Sequence, residues 1–204
     1  HEPERAGQMR WFHDYNLYDG PVMEALEEMK QRGWVKWTGV GGTTAHEMAK
    51  VIDTGVFDVV QTAFNYSLLW QEARYEIFPT AKKHDMGIIC SAPLQQGSLA
   101  VRRGELIENG APWISKPRRE QFKALYSFLD EIGMSIVELS LRFVLSNPDI
   151  DCVLVGAKNL KEITETVAYS EKGPLSEDIL KRIEEIYMMV PFRPTLEPIL
   201  LPWG

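Results

Sequence analysis

Apolar positions along this chain switch repeatedly between helical spacing and short, nearly unbroken runs. Pro21 to Gly33 carries Val22, Ala25, Leu26 and Met29 at helical spacing, with Gly33 as a stop. Trp34-Val-Lys-Trp-Thr-Gly-Val40 then alternates like a strand and ends in Gly41-Gly42. Thr44-Ala-His-Glu47 reads as a capping box opening a helix through Val51 and Ile52 to Gly55. Phe57 to Gln61 predicts a second strand, Glu72 to His84 a second helix, and Met86 to Ser91 a third strand. From Ala92 to Lys116 the pattern lapses. Gly97, Gly104, Gly110 and Pro112 predict a long loop there, of the kind that covers a site. Helices are predicted at Pro117–Ile132 and Ser135–Leu145, the latter opened by Ser135-x-x-Glu138. A buried strand follows at Cys152–Val155, then a helix from Asn159 and a last one from Ser176 to about Met188. The tail, Pro191 to Gly204, is rich in proline and leucine.

Buried strands alternating with helices imply a parallel α/β sheet, either an open doubly wound sheet or a closed (β/α)8 barrel. The stretch Val153-Leu-Val-Gly-Ala-Lys-Asn159 bears on that choice. It reads as a short strand that breaks at Gly156 and turns at once into a helix. A helix N-terminus beside a glycine and Lys158 suits a phosphate. An open nucleotide-binding sheet carries its glycine-rich turn near the first strand, and no Gly-x-Gly-x-x-Gly is present. Barrels place phosphate sites in their final loops, which favours a TIM-type barrel. Four strands are legible, with His1 ending a fifth, so the expectation is a partial barrel without its first three βα units. A chain that starts at His1 and runs straight into Glu2-Pro3 reads as a piece of a longer protein, its 204 residues forming a single domain.

Composition adds exclusions. At 45% hydrophobic and 25% charged residues the chain has an ordinary globular composition. A net charge of -7 argues against non-specific nucleic-acid binding. No apolar run is long enough to span a bilayer, and no signal peptide is found. Cys90 and Cys152 both fall in strand-like runs, which predicts two buried thiols and a reducing, cytoplasmic setting. His13, His46 and His84 show no metal-ligand spacing and read as solvated.

Five segments, in order, resemble the aldo-keto reductase family over nearly the whole chain. His1-Glu-Pro is similar to the end of the family's fourth strand, and Gly33 to Val40 to the fifth with its lead-in. Gln61 with Asn65-Tyr66-Ser67-Leu68-Leu69 is similar to the sixth, and Gly87 to Leu94 with Gly97 to the seventh. Val155-Gly-Ala-Lys158 with Ile163 and Glu165 resembles the eighth strand and its cofactor-binding helix. The resemblance implies reversible hydride transfer between NADP(H), possibly NAD(H), and a small aldehyde or ketone and its alcohol. It implies a catalytic His1, with the tyrosine, lysine and aspartate of the catalytic tetrad in a missing N-terminal half. It also implies cofactor contacts from Gly41, Gly42, Gln61, Ser91, Pro93, Leu94, Gly97, Gly156, Ala157, Lys158, Glu162 and Glu165.

The chain departs from the family pattern at several of these places. Gly41-Gly42 replace a Ser-Asn pair, Ser91 replaces a stacking tyrosine, and Thr166 replaces an asparagine. Glu162 has two readings: the far end of a capping box with Asn159, or a carboxylate near the adenosine ribose that would favour NAD(H). The loop aromatics Trp11, Phe12, Tyr15, Tyr18 and Trp113 either line a substrate pocket or cover the rim. The alternative function is a non-catalytic dinucleotide-binding pseudoenzyme or regulatory subunit of the same fold. A piece of this kind is expected to be inactive alone.

Overall fold

A computed structural model describes residues 19–111 and 113–193. Four strands form one parallel sheet in chain order: β1 (Gly39–Gly42), β2 (Val59–Ala63), β3 (Gly87–Ser91) and β4 (Cys152–Leu154). Gly41 pairs with Gln61, Gln61 with Ile89, Ala63 with Ser91, and Ser91 with Leu154, so every strand points its C-terminal end the same way. Among the described residues the sheet is open, with β1 and β4 as its edges. The helices are α1 (Pro21–Gln31), α2 (Ala45–Asp53), α3 (Ile77–Lys83), α4 (Gly104–Asn109), α5 (Lys116–Ile132), α6 (Ile136–Leu145), α7 (Leu160–Glu171) and α8 (Glu177–Tyr187). None of the helices is long and apolar enough to cross a membrane among the described residues.

The two faces of the sheet differ because strand side chains alternate. Val60, Thr62, Ile88 and Cys90 point into the helix layer and are buried. Val59, Gln61 and Ile89 point the other way and remain half-buried, while Cys152 and Leu154 on that face are exposed. On the helix side the core runs through Met48, Val51 and Ile52 of α2, Ile77 and Phe78 of α3, and Phe122, Leu125 and Leu129 of α5. Gly42 belongs to this side: a Cβ there would lie 2.9 Å from Met48 Cγ, so only glycine lets α2 approach β1 this closely.

Several expectations are corrected. The first strand starts at Gly39, not Trp34, and Trp34 and Trp37 are 66% and 71% exposed. A strand needs a ladder partner, and pairing with β2 begins only at Gly39 and Val59. Just before it, the Thr38 N–H donates to Asp58 Oδ2 at 2.7 Å, and Lys30 pairs with the same carboxylate at 2.6 Å. Thr44 precedes α2 without a side-chain capping bond, whereas Ser135 accepts from the Glu138 N–H at 3.1 Å. The helix expected over Glu72–His84 splits into a 3-10 turn at Glu72–Arg74 and the shorter α3. The loop expected over Ala92–Lys116 contains α4 and a 3-10 turn at Gln95–Gly97.

The largest correction concerns β4. It is not a buried strand: Leu154 is 45% exposed and Cys152 is exposed, so only Cys90 is a buried thiol. The α7 helix that follows buries no residue, and Leu160 is 80% exposed. An apolar run identifies a strand but not how many of its sides are covered. Here β4 has β3 on one edge and no described strand on the other.

A candidate dinucleotide-binding rim

The chemistry collects at the C-terminal ends of the strands, where parallel sheets present their loops. Gln61 sits mid-way along β2 on the uncovered face and donates through Nε2 to Ser91 Oγ at 3.2 Å. Ser91, the last residue of β3, donates in turn to the Thr62 carbonyl at 3.3 Å. Gly41 is the ladder partner of Gln61 and lies on the same face, where a Cβ would meet Gln61 Cβ at an ordinary 3.5 Å. Gly156 follows Leu154, the partner of Ser91, by two residues and has no heavy atom within 4 Å of a built Cβ. Gly41, Gln61, Ser91 and the Gly156 turn therefore share one end of the sheet. Gly42 shares the strand but faces α2.

Pro93 is buried and Leu94 half-buried in the loop leaving β3, and Gly97 takes φ +100 in the 3-10 turn there. Ala157, Lys158, Glu162 and Glu165 form a separate, exposed cluster around the start of α7. The capping interaction is present, since Asn159 Oδ1 accepts from the Glu162 N–H at 3.0 Å. Glu162 answers through both oxygens: Oε2 accepts from the Lys158 N–H at 2.8 Å and Oε1 from Asn159 Nδ2 at 3.1 Å. One donor that a phosphate would use is thus held by an internal carboxylate. Glu165 pairs loosely with Lys161 at 3.8 Å. His1, His13, Trp11, Phe12, Tyr15 and Tyr18 lie outside the described residues.

Sequence reading missed a second layer of polar residues beneath the rim. Gln95 is 2% exposed and donates through Nε2 to the Phe64 carbonyl at 2.9 Å and to Ser67 Oγ at 3.1 Å. Asn65 donates to Thr62 Oγ1 at 3.2 Å, also fully inside. Five non-glycine residues have positive φ among the described residues, and four of them, Phe64, Ala92, Gln95 and Gln96, leave the ends of β2 and β3. Left-handed backbone at a bulky residue stores strain, and such strain gathers at functional sites. The sequence offered one cue, the Gln-Gln-Gly after Pro93-Leu94, but polar residues before a glycine look like any surface turn.

Two groups near the rim are set aside by their surroundings. Burial pushes the Cys90 thiol up to about 12, so it stays protonated and inert. Burial likewise raises Tyr66 to about 12, and its ring stacks on Phe143 at 5.2 Å and meets Phe78 edge-on at 4.9 Å. Both belong to the core. A groove of about 480 Å³ between α2 and α3 lies on the helix side, and its polar groups are partnered: His46 Nδ1 lies 2.8 Å from Glu76 Oε2, and Lys83 pairs with Asp53 at 2.6 Å. No cluster of three or more metal-ligating side chains occurs among the described residues.

Comparison with known proteins bears on the fold and the family. A family model described as the aldo/keto reductase family matches residues 10–188. The chain is 25% identical to an aldo-keto reductase of Pseudocercospora fijiensis, over 87% of this chain and 68% of that protein. It is 27% identical to L-galactose dehydrogenase of Arabidopsis thaliana, over 81% of this chain and 52% of the relative. An aldo-keto reductase of Bacillus halodurans, solved in its holo form, superposes with a TM-score of 0.64 at 20% identity, over 82% of this chain and 57% of that one. With one exception at 68%, the chain spans about half the length of the relatives named here. With the family model covering most of its length, this chain belongs to the aldo/keto reductase family.

Proposed function

We propose that this chain is the C-terminal part of an NAD(P)H-dependent oxidoreductase that interconverts an aldehyde or ketone and its alcohol. The observation that carries the reading is the Gln61–Ser91 pair, bonded at 3.2 Å on the uncovered face, with Ser91 the ladder partner of Leu154, two residues before Gly156. An amide and a hydroxyl side by side on adjacent strands are complementary to a carboxamide, which needs one donor and one acceptor. Bound NAD(P)H would supply the hydride. Gln61 and Ser91 would orient the nicotinamide end, with the Gly41 and Gly42 backbone beside them. Pro93, Leu94, Gly97 and the turn Gly156-Ala157-Lys158 would hold the pyrophosphate, and Glu162 and Glu165 the adenosine end.

On this reading the open sheet is half of an eight-stranded barrel in one domain. Units preceding β1 would bring the proton-donating tyrosine with its lysine and aspartate, and His1 would end the strand next to β1. The piece alone would have no turnover. With both edge strands free and the inner face bare, it would self-associate. Sedimentation at micromolar concentration tests this, and a monodisperse monomer with one sharp cooperative melt would contradict it.

The cofactor test is direct. Nicotinamide fluorescence is followed while NADPH and NADH are titrated in parallel into the full gene product. Saturable binding of either supports the reading, and binding of neither sinks it. NADP(H) is the family's usual partner. A strong preference for NADH would assign Glu162 to the ribose hydroxyl, because a carboxylate accepts from a hydroxyl and repels a phosphate.

A further inference from the structure

We propose that Gln95 is a positioning residue for the cofactor rim, acting through the backbone of Phe64; this rests on the cofactor reading above. The last ladder pair between β2 and β3 is Ala63 with Ser91, and the Phe64 N–H extends it by donating to the Ser91 carbonyl at 3.4 Å. Phe64 then turns left-handed, at φ +64, which a bulky side chain adopts only when neighbours enforce it. The enforcement is visible. The Phe64 carbonyl accepts from Gln95 Nε2 at 2.9 Å and from Arg193 Nη2 at 3.2 Å.

Gln95 is itself held rigidly. It is left-handed at φ +49, its N–H donates to the Ala92 carbonyl at 2.9 Å, and its own carbonyl accepts from Ser98 Oγ at 2.9 Å. Its amide also reaches Ser67 Oγ at 3.1 Å, so one side chain from the β3 exit brackets both ends of Phe64–Ser67, the β2 exit. The residues that would meet the nicotinamide, Gln61 and Ser91, stand at the roots of these two exits. A buried amide donor with two acceptors tolerates little displacement, since an unmade bond there is not replaced by water. Gln95 therefore sets the angle between the two exits and, through it, the face that Gln61 and Ser91 present.

The test measures cofactor affinity and stability side by side in the full gene product. Gln95→Met keeps the length and removes the donor; Gln95→Glu keeps the shape and replaces the donating amide with an accepting carboxylate. Each is expected to weaken NADPH and NADH binding at least tenfold, with bound nicotinamide emission moving toward that of free cofactor. Leu129→Ala, in the α5 core and away from the rim, is the control: it lowers Tm and leaves the affinity unchanged. Wild-type affinity in either folded Gln95 variant overturns the inference, as does an equal loss of affinity in Leu129→Ala. A wild-type protein that binds neither cofactor removes the cofactor reading itself and this inference with it, an outcome distinct from the other two.

Discussion

Two amphipathic helices of this chain have had opposite fates. In α5, the apolar positions Phe122, Leu125, Phe128 and Leu129 are all buried, with Phe122 edge-on to Trp70 and the helix packed beside α4 and α8. Arg118 is also fully buried there, its Cζ 4.8 Å from the Trp70 ring centroid and its Nη1 donating to the Leu69 carbonyl at 3.0 Å. In α7 the apolar positions Leu160, Ile163 and Val167 are spaced just as regularly, yet they are 80%, 41% and 49% exposed. Periodicity states that a face is available. Whether it is used depends on what stands opposite: α7 packs beside α6 and follows the edge strand β4, where the described sheet stops.

The sharpest way to break that contrast is a pair of truncations. Phe122→Ala removes a fully buried ring and is expected to cost about 3–5 kcal/mol. Ile163→Ala should stay within about 0.5 kcal/mol. Denaturant unfolding of both variants decides the matter: comparable losses would mean that the α7 face is covered in solution and the two helices are alike.

A smaller effect concerns how α7 is tied on. Glu138 of α6 accepts from Arg142 at 3.0 Å and from Lys172, just beyond α7, at 2.9 Å. Burial works against ionisation of Glu138, but the hydrogen bonds and charges of Lys172 and Arg142 outweigh it and hold its pKa below the ordinary carboxylate value of 4.5. A depressed folded pKa means the stabilisation is complete above the unfolded value and declines as pH falls through the folded one. Glu138→Gln is thus expected to cost roughly 1–3 kcal/mol near neutral pH. Its Tm should converge on that of the wild type as the pH drops below 4.5. A constant gap between the two melting curves from pH 7 to pH 3 would remove Glu138 from this role.

The mildest test of the same contrast uses the thiols. Cys152 on the bare edge should react promptly with an aromatic disulfide reagent, and Cys90 only after unfolding. Two equivalents released at once from folded protein would contradict the burial difference.

Much of the fold was legible because it is encoded locally. Ser135 and Asn159 were identified as helix caps, and both accept from the N–H three residues on. The helices at α5, α6, α7 and α8 lie within a residue or two of their expected ends at their start. Thr44 matched the same capping pattern and makes no such bond, which shows that the pattern permits a cap without compelling one. Within the candidate site, Gln61 and Ser91 were singled out by the family resemblance, and they stand mid-way along β2 and at the end of β3. Gln95 and Phe64 were not, because nothing local distinguishes a buried glutamine in a left-handed turn from an exposed one. Their partnership spans 31 residues and exists only once β2 and β3 are paired.

The order of residues by itself determined the alternation of strands and helices, the parallel direction of the sheet, the glycine turn before α7 and the family resemblance, because each depends on spacing within about ten or twenty residues. Tertiary structure alone decided which side of each strand is covered, that Gly42 faces α2 while Gly41 faces Gln61, and that Cys152 lies open while Cys90 does not. Burial is a property of neighbours brought together from distant parts of a chain. A periodic pattern carries no information about whether those neighbours arrive.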